Sequence, residues 1–368
     1  VRVQPTVPNS DSEGVNKCAR RCVGVSEVTL LIEINGSERP TRMKLEKVLF
    51  VTPYVGIDTP QSMPFVKLLV KVISDEGIKT EHLLITKTAN PFKIHSQVKS
   101  LREMTKIFNP QIVVANYGTY TGLLVAVFGR HPKVIIFRGT DLNPDYSSVS
   151  TVHRIAMLTA SHIASFLVDG MICVSRELYE RLWHKSKPVT IIPDPTNLDL
   201  FRTLDREDCR VKLGWNTDKP IAVFFSHGGR KEKRPDLAEI IRSRIQASDP
   251  HVELKIIFQA SLSEMPVYLN AADCLLFLSE TEGSPNLIRE ACACNLPIVT
   301  VPVGDVAEVL EHVHPSRIVA RDIEALTAET VRISRLRVRS NGREHILKYG
   351  TKIVARKHIE FYESLIKE

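Results

Sequence analysis

Apolar residues in this chain fall into short, dense runs separated by longer stretches in which apolar and polar positions mix. From Lys47 onward, runs of strand length occupy 47–52, 81–86, 111–115, 133–138, 170–174 and 189–192. They are continuous rather than alternating, which is the pattern of strands covered on both faces, as in parallel sheets. The intervening segments have helical spacing. Phe65 to Glu76 is one, and Ile94 to Ile107 is another, with Ile94, Val98, Leu101 and Ile107 on one face and Lys99, Arg102 and Lys106 toward solvent. Pro193-Asp194-Pro195 then breaks the chain, and Leu198 to Arg206 reads as a connector. A second series follows, with strands at 220–225, 253–258, 273–278 and 297–301 and helices at 235–246, 264–271, 286–294 and 305–311. A final amphipathic helix over about 344–367 carries Ile359, Tyr362 and Ile366 on one side.

This pattern predicts an α/β protein of two Rossmann-like, doubly wound parallel-sheet domains, 43–192 and 193–343. Residues 344–368 form a C-terminal helix that packs back on the first domain. Two such units in one chain face each other across a cleft, and ligands bind there, beyond the carboxyl ends of the strands. At 368 residues the chain is long enough for two cores. Residues 1–42 differ from the rest, with Pro5, Pro8, Gly14 and a Cys-Ala-Arg-Arg-Cys segment, and read as an extension outside the fold that is disordered or non-native. Met43 resembles a natural start. The apolar run Val28 to Ile32 is too short for a secretory signal. No uncharged apolar run reaches the roughly 18 residues of a membrane span.

Charge and cysteine content refine the picture. Seven scattered cysteines read as reduced thiols of a cytoplasmic protein. Cys18 and Cys22 supply half of a metal site, but no second Cys/His pair follows, so no metal is expected. Of the +7 formal charge, one concentration is Arg332, Arg335, Arg337, Arg339 and Arg343, a span without an acid, and another is Arg230, Lys231, Lys233 and Arg234. Such runs are read either as solvated faces or as anion sites: phosphate for the second, lipid headgroups for the first. With Lys99, Arg102 and Lys106, the 332–343 arginines would attach the protein peripherally to an anionic membrane, at the inner face. Nucleic acid is not expected, since no recognition motif accompanies the charge.

The densest chemistry lies in Ser279-Glu280-Thr281-Glu282-Gly283-Ser284-Pro285-Asn286-Leu287-Ile288-Arg289-Glu290-Ala291. The segment follows a strand and opens a helix, with Gly283 permitting close backbone approach, Ser284 as N-cap and Pro285 at the first helical position. The free N–H groups of such a helix start suit a diphosphate. Glu282 and Glu290 flank that position and offer acceptors for sugar hydroxyls.

These residues carry a family resemblance. The stretch from Glu264-Met265-Pro266 through Glu282-Gly283-Ser284-Pro285-Asn286 to Glu290-Ala291 and Leu296-Pro297-Ile298-Val299 resembles glycosyltransferase family four. Further matching pieces are Glu232-Lys233-Arg234-Pro235, Val303-Gly304-Asp305 and Ile192-Pro193 with Asp199-Leu200-Phe201, so that the likeness extends over about 43–366. The resemblance implies a GT-B fold with an N-terminal acceptor domain and a C-terminal nucleotide-sugar domain. It implies a retaining, metal-independent transferase that uses no cofactor beyond a nucleotide-diphosphate sugar. The acceptor it implies is a glycan or a lipid-linked glycan, in cell-surface polysaccharide synthesis. It assigns Glu282 to donor-sugar hydroxyls, Glu290 to the nucleotide ribose, the Gly283–Leu287 backbone (Gly283, Ser284, Pro285, Asn286, Leu287) to the diphosphate, and Lys233 with Arg230 to the leaving phosphate charge.

In the first domain, Arg138 and Asn116 stand where the family commonly has histidine, and Arg138 can stabilise anions but cannot act as a base. Arg138 is placed with the catalytic set. Asn116, Tyr117, Gly139 and Asp141 are expected on the acceptor side. The Gly56 to Pro60 loop is less glycine-rich than the family pattern. No P-loop, zinc-protease motif or nucleophile elbow is present. Two alternatives stay open: a nucleotide-sugar epimerase on the same fold, and a degenerate transferase that binds nucleotide or glycan as a scaffold.

Overall fold

In the computed structural model the described residues are 44–54, 63–130, 132–143 and 150–366. The extension at 1–42, with Cys18 and Cys22, and the loop Gly56 to Pro60 lie outside them.

The first lobe alternates β1 (Lys47–Tyr54), α1 (Pro64–Asp75), β2 (Lys79–Thr86), α2 (Pro91–Phe108), β3 (Ile112–Asn116), α3 (Tyr120–Phe128), β4 (Lys133–Phe137), α4 (Thr151–Leu167), β5 (Gly170–Cys173), α5 (Arg176–Arg181) and β6 (Val189–Ile191). The second holds α6 (Arg206–Leu213), β7 (Ile221–Phe225), α7 (Pro235–Ser248), β8 (Glu253–Ile257), α8 (Met265–Ala271), β9 (Cys274–Phe277), α9 (Asn286–Ala293), β10 (Ile298–Thr300), α10 (Val306–Leu310), β11 (Arg317–Ile318), α11 (Ile323–Leu336) and α12 (Gly342–His345), and α13 (Thr351–Glu363) returns to the first.

Both sheets are parallel, with strand orders β2-β1-β3-β4-β5-β6 and β11-β10-β9-β7-β8. The central strands β3, β4, β7 and β9 are buried at every position, as their unbroken apolar runs require. The order reverses between β1 and β3 in one sheet and between β7 and β9 in the other, so the crevices open beside the loops that follow those strands.

Besides the short edge strand β11, which the sequence reading lacks, three stretches differ from it. The connector leads into an unpredicted helix, α6, capped by the Asp205 carboxylate accepting from the Asp208 N–H at 2.9 Å. α11 was also missed, because half of its buried side is polar: Thr327 and Thr330 turn their hydroxyls onto carbonyls four residues back, at 2.7 and 2.6 Å, which hides the apolar period. The final helix is interrupted rather than continuous over 344–367. It breaks at Gly350, where the linker residue Thr196 donates its N–H to the Tyr349 carbonyl at 2.8 Å. Beyond the break, α13 places Val354, Ala355 and Tyr362 in the first-lobe core beside Leu45 and Ile73, with Ile359 and Ile366 packed at its edge.

The arginines of 332–343 all have partners within the second lobe. Arg343 donates to the carbonyls of Leu198, Phe201 and Ala293 at 2.8 to 2.9 Å, and Arg339 to those of Asn270 and Ala272. Arg337 reaches the Thr217 carbonyl at 2.7 Å, while Arg335 pairs with Asp249 and Arg332 with Glu329. Arg337, Arg339 and Arg343 staple the end of the domain to its connectors, and Arg332 and Arg335 are paired at the surface, so the five do not form one face of unpaired charge. Of the proposed first-lobe partners, Lys99 pairs with Glu103 and Arg102 lies over the Phe128 ring.

A buried network at Asp273 holds the same region. Its carboxylate accepts from Arg206, from Arg210 at 2.6 Å and from the Ile221 N–H at 2.8 Å, and the Arg210 side chain is fully buried. Asp273→Ala leaves that guanidinium without counter-charge, so unfolding stability should fall by about 3–5 kcal/mol. Urea titration reads this as a lower midpoint at unchanged slope. A loss below about 1 kcal/mol would mean that the carbonyls alone satisfy Arg210.

Candidate active site

At the carboxyl edge of the second sheet, β7 runs into Ser226-His227-Gly228-Gly229-Arg230 and β9 into the segment 278–285. The first loop turns back at once: His227, Gly228 and Gly229 all have positive φ, 47°, 77° and 78°. Two glycines make this reversal inexpensive, and the Gly228 N–H is tied to the Phe258 carbonyl at 2.7 Å. This loop was not singled out in the sequence, although Gly-Gly directly after a strand was its available signal. A short 3₁₀ turn over Lys231–Lys233 follows, and Glu280 donates its N–H to the Glu232 carbonyl at 2.8 Å, fastening the two loops together.

That fastening brings Lys233 and Glu282 into an ion pair, Nζ to Oε1 2.5 Å, with both side chains largely buried. The sequence assigned them to opposite ends of a donor. Here they form one unit that presents a cation and an anion together. Arg230 is more exposed and pairs with Glu232 at 2.5 Å. His227 stands beside them, and burial, with the nearby cations of Lys233 and Arg230, depresses its imidazole to about 4. It is therefore neutral at physiological pH.

The helix start differs from the expected cap. α9 begins at Asn286, and Pro285 occupies the cap position without a side-chain hydrogen bond. Ser284 does not cap the helix. Its hydroxyl contacts the Asp305 carboxylate and the Arg289 guanidinium, and Arg289 also donates to the Asn286 side chain at 2.7 Å. Arg289 is wholly buried, with its guanidinium over the Tyr349 ring at 5.5 Å. A buried arginine thus shapes the turn from behind, a role that nothing in the local sequence signals. Leu287 is buried in the second-lobe core. Glu290, one turn into α9, is half-buried, and burial raises its carboxyl to about 7 despite the adjacent Arg289.

The first lobe meets this turn through its loop after β4. Gly139 has φ 141°, and a Cβ added there would lie 3.0 Å from the Gly283 nitrogen. A Cβ on Gly283 would lie 2.2 Å from the Arg138 carbonyl oxygen, and one on Gly304 (φ 55°) 3.0 Å from the Gly283 carbonyl oxygen. Three loops from two lobes therefore touch backbone to backbone. Gly283 was read as giving a ligand room; here it also gives the other lobe room. Asn143 reinforces the contact by donating to the Thr281 hydroxyl, a pair that the sequence gave no means to find.

The expected acceptor-side residues mostly hold each other. Arg138 is buried, ion-paired with Asp194, and donates to the Asn116 side-chain oxygen at 2.8 and 3.1 Å. Phe65 covers the guanidinium at 5.0 Å. Its charge is compensated by Asp194, whereas the sequence reading placed it with the catalytic set. Asp194, read only as part of a chain breaker, is its counter-ion. Asn116 in turn donates to the Thr52 hydroxyl at 2.9 Å. Asp141 is fully buried, accepts from the N–H groups of Gly118, Arg138 and Gly139 at 2.8 to 3.1 Å, and so fixes the loops after β3 and β4. Tyr117 takes a left-handed backbone, φ 70°, and burial pushes its phenol up. Among the described residues no cluster of three or more His, Cys, Asp and Glu side chains could hold a metal ion.

Glu290 supplies a pH test. Its folded carboxyl, near 7, holds a proton more tightly than an unfolded glutamate near 4.5, so its ionisation opposes folding as pH rises through that window. Glu290→Gln should therefore melt above the parent at pH 8, with the difference vanishing by about pH 4.5. A difference that did not vary with pH would show that the carboxyl is not buried as described.

Comparison with known proteins agrees with this architecture. The family model described as glycosyl transferases group 1 matches residues 217–335, the span that contains β7, β9, α9 and both glutamates. A curated relative, a putative teichuronic acid biosynthesis glycosyltransferase, TuaC, of Bacillus subtilis (strain 168), is 25% identical over 228 residues, 56% of this chain and 57% of its own length. The matched region thus spans little more than half of that relative. Among solved structures, sucrose-phosphate synthase from Thermosynechococcus elongatus superposes with a TM-score of 0.69 at 16% identity, over 87% of this chain and 99% of its own. Anabaena HepE, solved in complex with UDP, gives 0.64 at 14% identity, over 87% and 100%. The chain has the GT-B fold, and its residues 217–335 match the group 1 glycosyltransferase model.

Proposed function

We propose that this protein is a retaining glycosyltransferase that moves a sugar from a nucleotide-diphosphate donor to a glycan or lipid-linked acceptor in cell-surface polysaccharide synthesis. The observation that carries the proposal is the Lys233–Glu282 pair at the start of α9, with Glu290 one turn further on. On this reading the diphosphate lies over the Gly283–Leu287 turn, whose backbone N–H groups and helix dipole favour an anion. Glu282 accepts from hydroxyls of the donor sugar, and Glu290 accepts from the ribose. UDP in the solved complex of HepE, and the name of the Bacillus relative, support the nucleotide and the pathway class.

The chemistry follows from charge. Cleaving the bond between the anomeric carbon and the phosphate oxygen leaves a negative charge on the diphosphate. Lys233, and Arg230 at the rim, place fixed cations against it, which lowers the barrier because the interaction strengthens as the bond breaks. With lysine, arginine and helix N–H groups in that position, no metal is called on. The departing phosphate oxygen, rather than a protein base, takes the acceptor proton. This fits a first-lobe floor in which Arg138 and Asn116 are engaged with each other. That same engagement is what favours the second reading, a binding scaffold without turnover.

Glu282→Gln should keep the fold and lower transfer, since a charge-assisted hydrogen bond of about 1.5–3 kcal/mol becomes a neutral one. Lys233→Ala should reduce kcat more than acceptor KM, and activity should persist in a chelator. Donor hydrolysis and transfer, measured with a panel of nucleotide sugars, check all three. Full turnover in both variants would remove the donor-site assignment. Tight nucleotide binding without any hydrolysis would favour the scaffold.

A further inference from the structure

Among the described residues, seven non-glycine positions have positive φ. Five of them belong to helix ends: Met63 and Arg234 precede α1 and α7, Asn109 and Arg337 close α2 and α11, and Asn295 follows α9. The other two are Tyr117, φ 70°, and His227, φ 47°. Tyr117 directly follows β3, and His227 lies just beyond β7, so each stands at a carboxyl strand end beside the reversal of its own sheet. A ring-bearing residue in the left-handed region is an outlier that persists only where the surrounding structure enforces it, and such outliers concentrate at functional sites.

The enforcement is visible in both lobes. Tyr117 donates its N–H to the Ile136 carbonyl at 3.0 Å, and its own carbonyl oxygen would lie 2.8 Å from a Cβ on Gly122. Its neighbours are fixed as well, Asn116 by Arg138 and Thr52, and the Gly118 N–H by Asp141 at 2.9 Å. The network of Arg138, Asn116 and Asp141 therefore has a definite result, the placement of Tyr117. In the second lobe, Ser226 and Gly228 donate their N–H groups to the Ile257 and Phe258 carbonyls at 2.9 and 2.7 Å and hold His227 between them. The protein itself uses neither polar end: among the described residues, the Tyr117 hydroxyl and the His227 ring nitrogens have no hydrogen-bond partner.

One cation links the two side chains. The charge of Arg230 acts on the phenol of Tyr117 and on the imidazole of His227, so both rings, from opposite lobes, lie within reach of one guanidinium. Both are uncharged at neutral pH, the phenol because burial pushes it up, the imidazole because burial and the Lys233 and Arg230 cations depress it to about 4. Asp141 also holds the Gly139 N–H at 2.8 Å, and Gly139 abuts Gly283, which ties the position of Tyr117 to the donor turn. Fixed, uncharged donors suit an anion whose charge grows during reaction, because their hydrogen bonds strengthen as that charge develops. We propose that Tyr117 and His227 are leaving-group contacts that donate, one from each lobe, to the terminal phosphate of a nucleoside diphosphate beside Arg230. This rests on the transferase reading above, and it moves Tyr117 from the acceptor side to the leaving group.

The test compares the mono- and diphosphates of one nucleoside, chosen by titrating the full chain with UDP, GDP, ADP, CDP and dTDP. His227→Gly suits the left-handed backbone and should melt close to the parent. It should bind the diphosphate roughly tenfold more weakly, as the loss of a hydrogen bond to a charged group implies, and leave monophosphate affinity within about twofold. Tyr117→Phe, which keeps the ring and removes the hydroxyl, should show the same split. Should the glycine variant unfold, the isosteric Tyr117→Phe decides alone. Donor hydrolysis by the parent, measured alongside, judges the transferase reading separately. Where the parent turns over, an unchanged preference for diphosphate, an equal weakening of both nucleotides, or a loss in only one of two folded variants overturns this inference and leaves that reading standing. A parent that binds none of these diphosphates removes both.

Discussion

Two lobes can share one reaction site only where their backbones can approach without side chains between them. In this protein that condition is met where Gly283 of the β9–α9 turn lies against the Arg138 carbonyl and Gly139, with Gly304 closing from a third loop. Each of the three loops leaves the carboxyl edge of a parallel sheet, so topology delivers them to the same place. The glycines then decide how close they come. Much of the surrounding polar structure maintains this approach: Asp141 fixes the loops after β3 and β4 through three backbone N–H groups, and Arg289 braces the opposite turn through Ser284 and Asn286. Neither side chain needs to touch a ligand to determine where one sits.

The second organising feature is how the cations are used. Most arginines in the interior are committed to carbonyls or to one buried acid, as Arg343, Arg339 and Arg210 are. A guanidinium fits this work because it donates in several directions at once and keeps its charge when buried. Lys233 differs. Its partner is Glu282, at the cleft, and the pair presents both signs to whatever binds there. A donor with a diphosphate at one end and hydroxyls at the other can be received by such a pair without an uncompensated charge in either state. The neutral imidazole of His227 beside it adds a polar group but no further charge.

The sequence carried the architecture well because central parallel strands, buried on both faces, leave runs with no polar interruption, as in β3, β4, β7 and β9. It also carried the β9–α9 turn, where Glu282, Gly283 and Glu290 are adjacent in the chain. What it could not carry was partnership across distance. Arg138 and Asp194 are 56 residues apart, and Lys233 and Glu282 are 49 apart. In a linear reading each is a free charge with a role of its own. The same limit turned Arg337, Arg339 and Arg343 into part of an apparent basic face, since a guanidinium bonded to carbonyls leaves no acidic neighbour in the sequence to reveal it. α11 was lost for a related reason: threonines that satisfy their hydroxyls on their own helix can be buried, and no hydrophobic period records them.

Separating bonded charge from available charge changes where the positive surface of the molecule lies. Once the arginines of 332–343 are set aside, the positive excess belongs to the first lobe, and that lobe also exposes Ile155, Ile163 and Phe166 on α4. The helix could have been made conventional by exchanging its two sides, because Ser161, His162 and Ser165 are costlier to bury than Ile155, Ile163 and Phe166. Burial of Ser161 Oγ and His162 Nδ1 without hydrogen-bond partners shows that this cost is borne.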